Sequence, residues 1–161
     1  MADRDRLLTA QWVFERTLGW IAAAEIKIGV AITLNVAMIG GLAGAFGTLT
    51  RKLPWPEFVA IVAALCSFAA IACCAAAVLP RLDGPPHSLI FFGRIAKFDS
   101  LIYQDEFQRS TDEQFLFDLT AQIHRNAEIA AQKHEWVRKA MMWSFAGALP
   151  WVVAIGLFLK P

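Results

Sequence analysis

Residues 111–159 read TDEQFLFDLTAQIHRNAEIAAQKHEWVRKAMMWSFAGALPWVVAIGLFL, and this stretch decides the fold. It opens on Thr111-Asp-Glu-Gln114, a capping box: the Thr hydroxyl and the Gln side chain satisfy each other's backbone donors, and two acids sit at the positive end of the helix dipole. Charge then continues for about seven turns of helix before the sequence turns wholly apolar. Neither Gly nor Pro intervenes before Gly147, so nothing in the sequence stops the helix where water gives way to lipid. The expectation is one helix that starts in the cytosol and ends across a bilayer. Such a helix suits signal transduction better than a pocket enzyme.

Two other stretches, 28–49 and 58–79, match the apolar end of this one, 140–159. Each has about 20 residues, enough for a hydrocarbon core of roughly 30 Å. Hydrophobic residues make up 57% of the chain and mean hydropathy is +0.48, too high and too clustered for a soluble domain. The first stretch reads as a span, not a cleaved leader, because polar-containing sequence precedes it and Gly-rich sequence follows. The fold class expected is an all-α membrane protein with three transmembrane helices, the first and third extended into a cytosolic helical stalk. Its segments are 1–27 (cytosolic start of the first helix), 28–49 (first span), 50–57 (outer loop), 58–79 (second span), 80–139 (cytosolic, with a short helix and a long amphipathic one) and 140–159 (third span).

A net charge of +1 says nothing about nucleic acid, and no nucleic-acid partner is expected, but its distribution orients the chain. Arg4, Arg6, Arg16 and Lys27 precede the first span, and eight more Lys and Arg lie between the second and third. Only Arg51, Lys52 and Lys160 fall on the other side. The positive-inside rule puts the N-terminus and the 80–139 region in the cytoplasm and the C-terminus outside. Cys66, Cys73 and Cys74 all lie in the second span and read as small packing residues, with no disulfide framework and no zinc spacing.

The first helix is expected from about residues 3–5 to residue 49. Its seam is read as Leu7, Phe14, Leu18, Ile21, Ile28 and Ile32, with Gln11 and Glu25 as polar members. Leu53-Pro54-Trp55-Pro56 reads as a tight outer turn, with Trp55 as an interfacial anchor. Pro80 closes the second span, and Asp83-Gly84-Pro85-Pro86 marks a break. Residues 87–93 then read as an irregular segment docked on the cytosolic helices. A short helix over 100–109 follows, with Leu101, Ile102 and Phe107 as candidates for burial. On the last helix Phe115, Leu119, Ile123, Ala127, Ala130, His134 and Val137 share one face. Both long helices run toward the membrane, so they are expected to be parallel.

Polar residues near the spans are the first functional candidates. Glu25 and Lys27 lie at the cytosolic edge, and Asn35 lies about two turns deeper with Thr33 nearby. Asn in lipid is expected to find a partner, and both interhelical bonding and a pore lining are open. Gly40, Gly44 and Gly47 form a small-xxx-small face, and Gly147 with Pro150 marks the expected bend in the third span. A second set, Asp118, Gln122, Asn126, Ile129, Lys133 and Trp136, recurs at three- and four-residue spacing. It is either a solvated face or a ligand wall in which Gln122 and Asn126 meet a base edge and Lys133 holds an anion. Arg94 and Lys97, just after Gly93, extend that wall, and Phe91, Phe92 or Tyr103 can stack on a base. His124 and His134 point about 80° apart around a helix and do not form a chelating pair, so no metal site is expected. The chain has no GxSxG, P-loop, HExxH or GxGxxG, which gives no support to an enzyme.

Three blocks carry a resemblance. Trp20-Ile-Ala-Ala-Ala-Glu25-Ile-Lys27, followed by Gly29 and Asn35, resembles the W-I-x-x-A-D-x-K-x-G start of the first span in the Pycsar transmembrane effector family, with Glu25 where that motif has Asp. Phe91-Phe92-Gly93-Arg94-Ile95-Ala96 resembles the family's F-F-G-x-I segment. The run from Asp118 through Gln122, Ile123 and His124 to Ile129, Ala130 and Lys133 resembles its last helix. The resemblance implies a bacterial antiphage effector in the inner membrane, which answers cUMP or cCMP from a partner cyclase by impairing that membrane. The ligand set nominated for the nucleotide is Arg94, Lys97, Gln122, Asn126, Lys133, Phe91 and Tyr103, with no cofactor. Homo-oligomers are expected because three thin spans enclose no pore. The competing expectation is a constitutive scaffolding membrane protein whose stalk pairs with a cytosolic partner.

Overall fold

The computed structural model describes residues 3–47, 54–79, 84–85 and 87–159, and its regular elements are all helical. They are α1 (Asp3–Gly47), α2 (Pro54–Val78), α3 (Phe92–Ile95), α4 (Ser100–Arg109) and α5 (Asp112–Phe158). Helices α1, α2 and α5 are long and apolar enough to cross a membrane, which makes this an all-α membrane protein. Arg51, Lys52, Leu53, Pro80, Asp83, Pro86 and Lys160 lie outside the described residues.

The chain divides into a head unit, Met1–Ala23 with Pro80–Gln132, and a bundle unit, Ala24–Leu79 with Lys133–Pro161. In the bundle, Glu25 meets Lys133, Asn35 meets Ser144, and Phe46 meets Phe158. The numbers rise together, so α1 and α5 are parallel there, as expected. Helix α2 runs the other way: Cys74 and Ala77 join Ala24, Ile28, Ala31, Val137 and Ala140 in one apolar cluster, whereas Ala63 joins Leu42, Ala154 and Phe158 in a second.

The buried positions follow a strict alternation of three and four residues. They are Ala24, Ile28, Ala31, Asn35, Met38 and Leu42 on α1, and Ala63, Ser67, Ala70, Cys74 and Ala77 on α2. On α5 the same spacing links Lys133, Val137, Ala140 and Ser144. A 3.5-residue repeat underwinds each helix into a left-handed supercoil. Most of these side chains are small, so the backbones approach closely and association rests on van der Waals contact.

Several expectations need correction. The first helix's seam is only partly the bulky set: Ile28 is buried as read and Leu7, Phe14, Ile21 and Ile32 are half-buried, but Leu18 is 44% exposed and the small residues Ala10, Thr17, Ala24 and Ala31 share the buried line. Large side chains flank a close helix contact, and small ones occupy it. On the last helix Leu119, Ala130 and Val137 are buried as read, but so are Gln122 and Lys133 from the polar stripe, which is therefore not simply a solvated face. Leu101, Ile102 and Phe107 are exposed, not buried. Pro54 and Pro56 do not form the outer turn. They sit in the first turn of α2, where a residue without N–H removes no helical hydrogen bond. The 87–93 segment is irregular only to Phe91, after which α3 makes one turn.

Candidate functional site

In the head unit the chemistry centres on the segment before α3. His87 takes φ +64°, a left-handed conformation that is uncommon outside glycine, and Ser88 follows it almost wholly buried. The Ser88 hydroxyl accepts from the N–H of Ile90 (3.1 Å) and of Phe91 (2.9 Å), and from Gln122 Nε2 on α5 (3.1 Å). One residue on, Leu89 is held from both sides. Its N–H donates to Asp118 Oδ2 (2.8 Å), and its carbonyl accepts from the Tyr103 hydroxyl (3.1 Å). Asp118 of α5 and Tyr103 of α4 thus clasp the segment through the Leu89 backbone, and Gln122 of α5 holds it through the Ser88 hydroxyl.

Below the clasp runs a file of rings: Phe98, Tyr103, Phe107 and Phe115, with centroids 5.9, 5.8 and 4.9 Å apart in turn. It ties α4 to the first turns of α5. The capping box forms as read: Thr111 N–H donates to Gln114 Oε1 (2.9 Å), and Gln114 N–H donates to Thr111 Oγ1 (3.3 Å). Asp99 caps α4 by accepting from Leu101 N–H at 2.9 Å. An open groove of about 950 Å³ lies at this corner, walled by Asp105, Glu106, Glu113 and Asp118 with Arg109, His87 and Phe117. Arg109 is already paired with Asp105 at 2.9 Å, so acid dominates the groove and an anion gains little there.

None of the seven nominated ligand residues lines the groove. Gln122 and Tyr103 serve the clasp. The Phe91 ring is wedged beside two glycines: a Cβ at Gly84 would collide with it, and one at Gly93 would come within 2.7 Å. Arg94 is half-buried on α3, with its Nε buried and without a hydrogen-bond partner. Lys97 is exposed one turn later, its N–H donating to the Arg94 carbonyl at 2.9 Å, and Asn126 is half-buried on α5. Lys133 belongs to the bundle unit. Its Nζ lies 3.1 Å from Glu25 Oε1, with the lysine side chain 11% exposed and the carboxylate 58%.

Asn35 bonds across helices, one of the two outcomes expected of it, to a partner the sequence did not name. Asn35 Nδ2 donates to the Ala31 carbonyl (2.8 Å) and to Ser144 Oγ (2.7 Å), and Ser144 donates to the Ala140 carbonyl (2.9 Å). Trp151 Nε1 donates to the Met38 carbonyl at 2.7 Å, its ring lying against Gly41. Pro150, beside it, sits inside α5, and Gly147 meets α2. Nothing lies within 4 Å of a Cβ built at Gly40 or Gly44, and Lys27 is exposed. Ser88, Ser144 and Trp151 were missed as site residues. The spacing of Ser144 from Val137 and Ala140 was the available signal for one of them; the other two carry none. Outside the span, the Lys139 ammonium hydrogen-bonds Glu135 (2.9 Å) and holds its carboxyl below the ordinary range.

Comparison with known proteins gives a consistent result. A family model described as Pycsar effector protein domain matches residues 9–160. The Pycsar effector protein PtPycTM of Propioniciclava tarda is 23% identical over 154 residues, covering 87% of this chain and 74% of that relative. No solved structure matches.

Proposed function

The chain belongs to the Pycsar effector family and is a membrane effector of antiphage defence; from that premise we propose that its head unit binds cUMP or cCMP and its bundle unit then impairs the inner membrane. The nucleotide comes from a partner cyclase. The head is cytoplasmic, the C-terminus lies outside, and the effector acts as a homo-oligomer without catalysing a reaction.

Arg94 is the observation that carries the nucleotide reading. A guanidinium Nε buried without an acceptor is an unmet demand for one, and a phosphate oxygen meets it with a charge-assisted bond. Lys97, three residues along, is the candidate for a second cation on the same phosphate. Asn126 and Gln122 are the candidates for the base edge, Gln122 at the expense of its bond to Ser88. Binding there would loosen the hold of α5 on Ser88, next to the clasped Leu89. Helices α1 and α5 each supply residues to both units, which supports a route from clasp to bundle. The contacts to be exchanged in the bundle are Glu25–Lys133, Asn35–Ser144 and Trp151–Met38.

A ligand biases such an equilibrium only by its differential affinity for the two states. Taking the bundle from 1:99 to 99:1 requires about 5.5 kcal/mol of it. The test is dye and ion release from proteoliposomes on adding cUMP or cCMP. Wild type should release with one of the two nucleotides, and Arg94→Ala with Lys97→Ala should abolish the response while the protein stays folded. If neither nucleotide releases contents or alters oligomeric state, the reading is wrong.

A further inference from the structure

Between the two apolar clusters of the bundle lies a layer that is not apolar. Asn35 and Ser67 are fully buried, and Ser144 is 4% exposed. The level of Ser67 follows from its neighbours. A Cβ at Gly147 would touch Cys66 Cβ, the Ala63 carbonyl and Met38 Cε. On the cytosolic side of that contact the three helices present Ser144, three residues from Gly147, Asn35, three from Met38, and Ser67, next to Cys66 and one turn from Ala63.

The hydrogen bonding of this layer does not close. Both amide protons of Asn35 are used, on Ala31 and Ser144, and Ser144 spends its own proton on Ala140. The amide cannot be turned round, because the Ala31 carbonyl only accepts and must face the nitrogen. Asn35 Oδ1 is therefore left without a donor, and Ser67 Oγ has no partner either. Ser67 is unusual in this respect: Thr9, Thr33, Thr120 and Ser144 each donate to a carbonyl four residues back along their helix. One free acceptor and one free hydroxyl thus stand in the same layer of an otherwise apolar interior. A buried polar group left without a partner is costly, so each calls for one.

We propose that this layer is a buried hydration site, with water donating to Asn35 Oδ1 and bonding Ser67 Oγ. Water has the required chemistry: it both donates and accepts, and buried waters typically serve such otherwise unsatisfied groups. The site divides the bundle interior into two dry halves with a wet plane between them. Its gating consequence rests on the membrane-impairing reading: opening begins where water is already present and must cross only half of the apolar length on either side. The site itself stands without that reading.

Water-edited solid-state NMR on labelled protein in lipid bilayers, with no nucleotide added, tests the site. Asn35 Cγ and Ser67 Cβ should gain magnetisation from water ahead of Ala31 and Ala70, their dry neighbours. Ser67→Ala, which removes only the hydroxyl, should slow the build-up at Asn35, and Asn35→Leu should slow it at Ser67. Build-up at Asn35 and Ser67 no faster than at Ala31 and Ala70, or an Asn35 signal unchanged by Ser67→Ala, overturns the proposal. In the proteoliposome assay Asn35→Leu should also suppress nucleotide-triggered release. Failure of wild type to respond to nucleotide would instead count against the proposed function and leave the NMR result standing.

Discussion

Gly147 offers the sharpest test of how the bundle is built. A Cβ at this position would lie 2.9 Å from Cys66 Cβ and 3.5 Å from the Ala63 carbonyl oxygen. Carbon atoms prefer about 3.5–4.0 Å, so α5 and α2 must separate or tilt to admit Gly147→Ala. Overpacking of this kind costs about 1–3 kcal/mol. Opposing it is the helix propensity of Ala over Gly, worth about 1 kcal/mol. Gly44→Ala supplies the reference, because nothing lies within 4 Å of a Cβ there and only the propensity gain remains. The two variants should therefore differ by the clash alone, about 1–3 kcal/mol, or roughly 5- to 150-fold in the unfolding equilibrium at about 1.4 kcal/mol per tenfold. Unfolding by SDS in mixed micelles, followed by tryptophan fluorescence, reads this difference. Cys66→Gly removes the opposing Cβ, so Gly147→Ala should be far less damaging in that background. Equal stability of Gly147→Ala and Gly44→Ala, or no rescue by Cys66→Gly, would refute the close α2–α5 contact.

Other expected outcomes can be measured with the same preparation. Glu25→Ala should destabilise more than Lys133→Ala, because it strands an ammonium on a side chain that is 11% exposed, whereas the opposite change returns a half-exposed carboxylate to water; equal losses in SDS unfolding would contradict this. Asp118→Ala should release Leu89 N–H from its acceptor and cost about 1.5–3 kcal/mol of local protection, a rise of roughly 10- to 150-fold in amide exchange. Lys139→Ala should move Glu135 up toward the ordinary carboxylate range in an NMR titration. The contribution of that contact is present above the ordinary carboxylate pKa and is lost as pH falls through the lowered one.

The parts legible in the sequence were those written locally. The capping box at Thr111, the bounds of the 100–109 helix and the three apolar stretches each depend on residues a few positions apart, and the structure reproduces them. The parallel run of α1 and α5 followed from topology alone. Half of the seam escaped because alanine carries little hydrophobic signal: reading for bulk found Ile28 and the half-buried Leu7 and Phe14, but passed over the buried Ala10 and Thr17. In lipid the rule reverses further, since large apolar side chains gain nothing by burial and close packing favours small ones. The clasp escaped for another reason. Asp118 reaches a backbone N–H 29 residues away and Asn35 a hydroxyl 109 away, and no periodicity encodes such partners.

The small-residue seam has a mechanical meaning. Side chains as alike as Ala31, Ala63, Ala70 and Ala140 give the facing helices shallow relief, so sliding or rolling one against another meets little resistance. On the proposed function the bundle would act as a bearing whose resting position is held by a few detents: the ion pair at one end, the Asn35 amide in the middle, and the Trp151 indole hooked on the Met38 carbonyl. On the same proposed function, the depth of the detents would set the trigger threshold, and the bearing would set how far the helices travel once released. Natural variants could then be tuned for sensitivity at three positions, with no change to the surface along which the helices move.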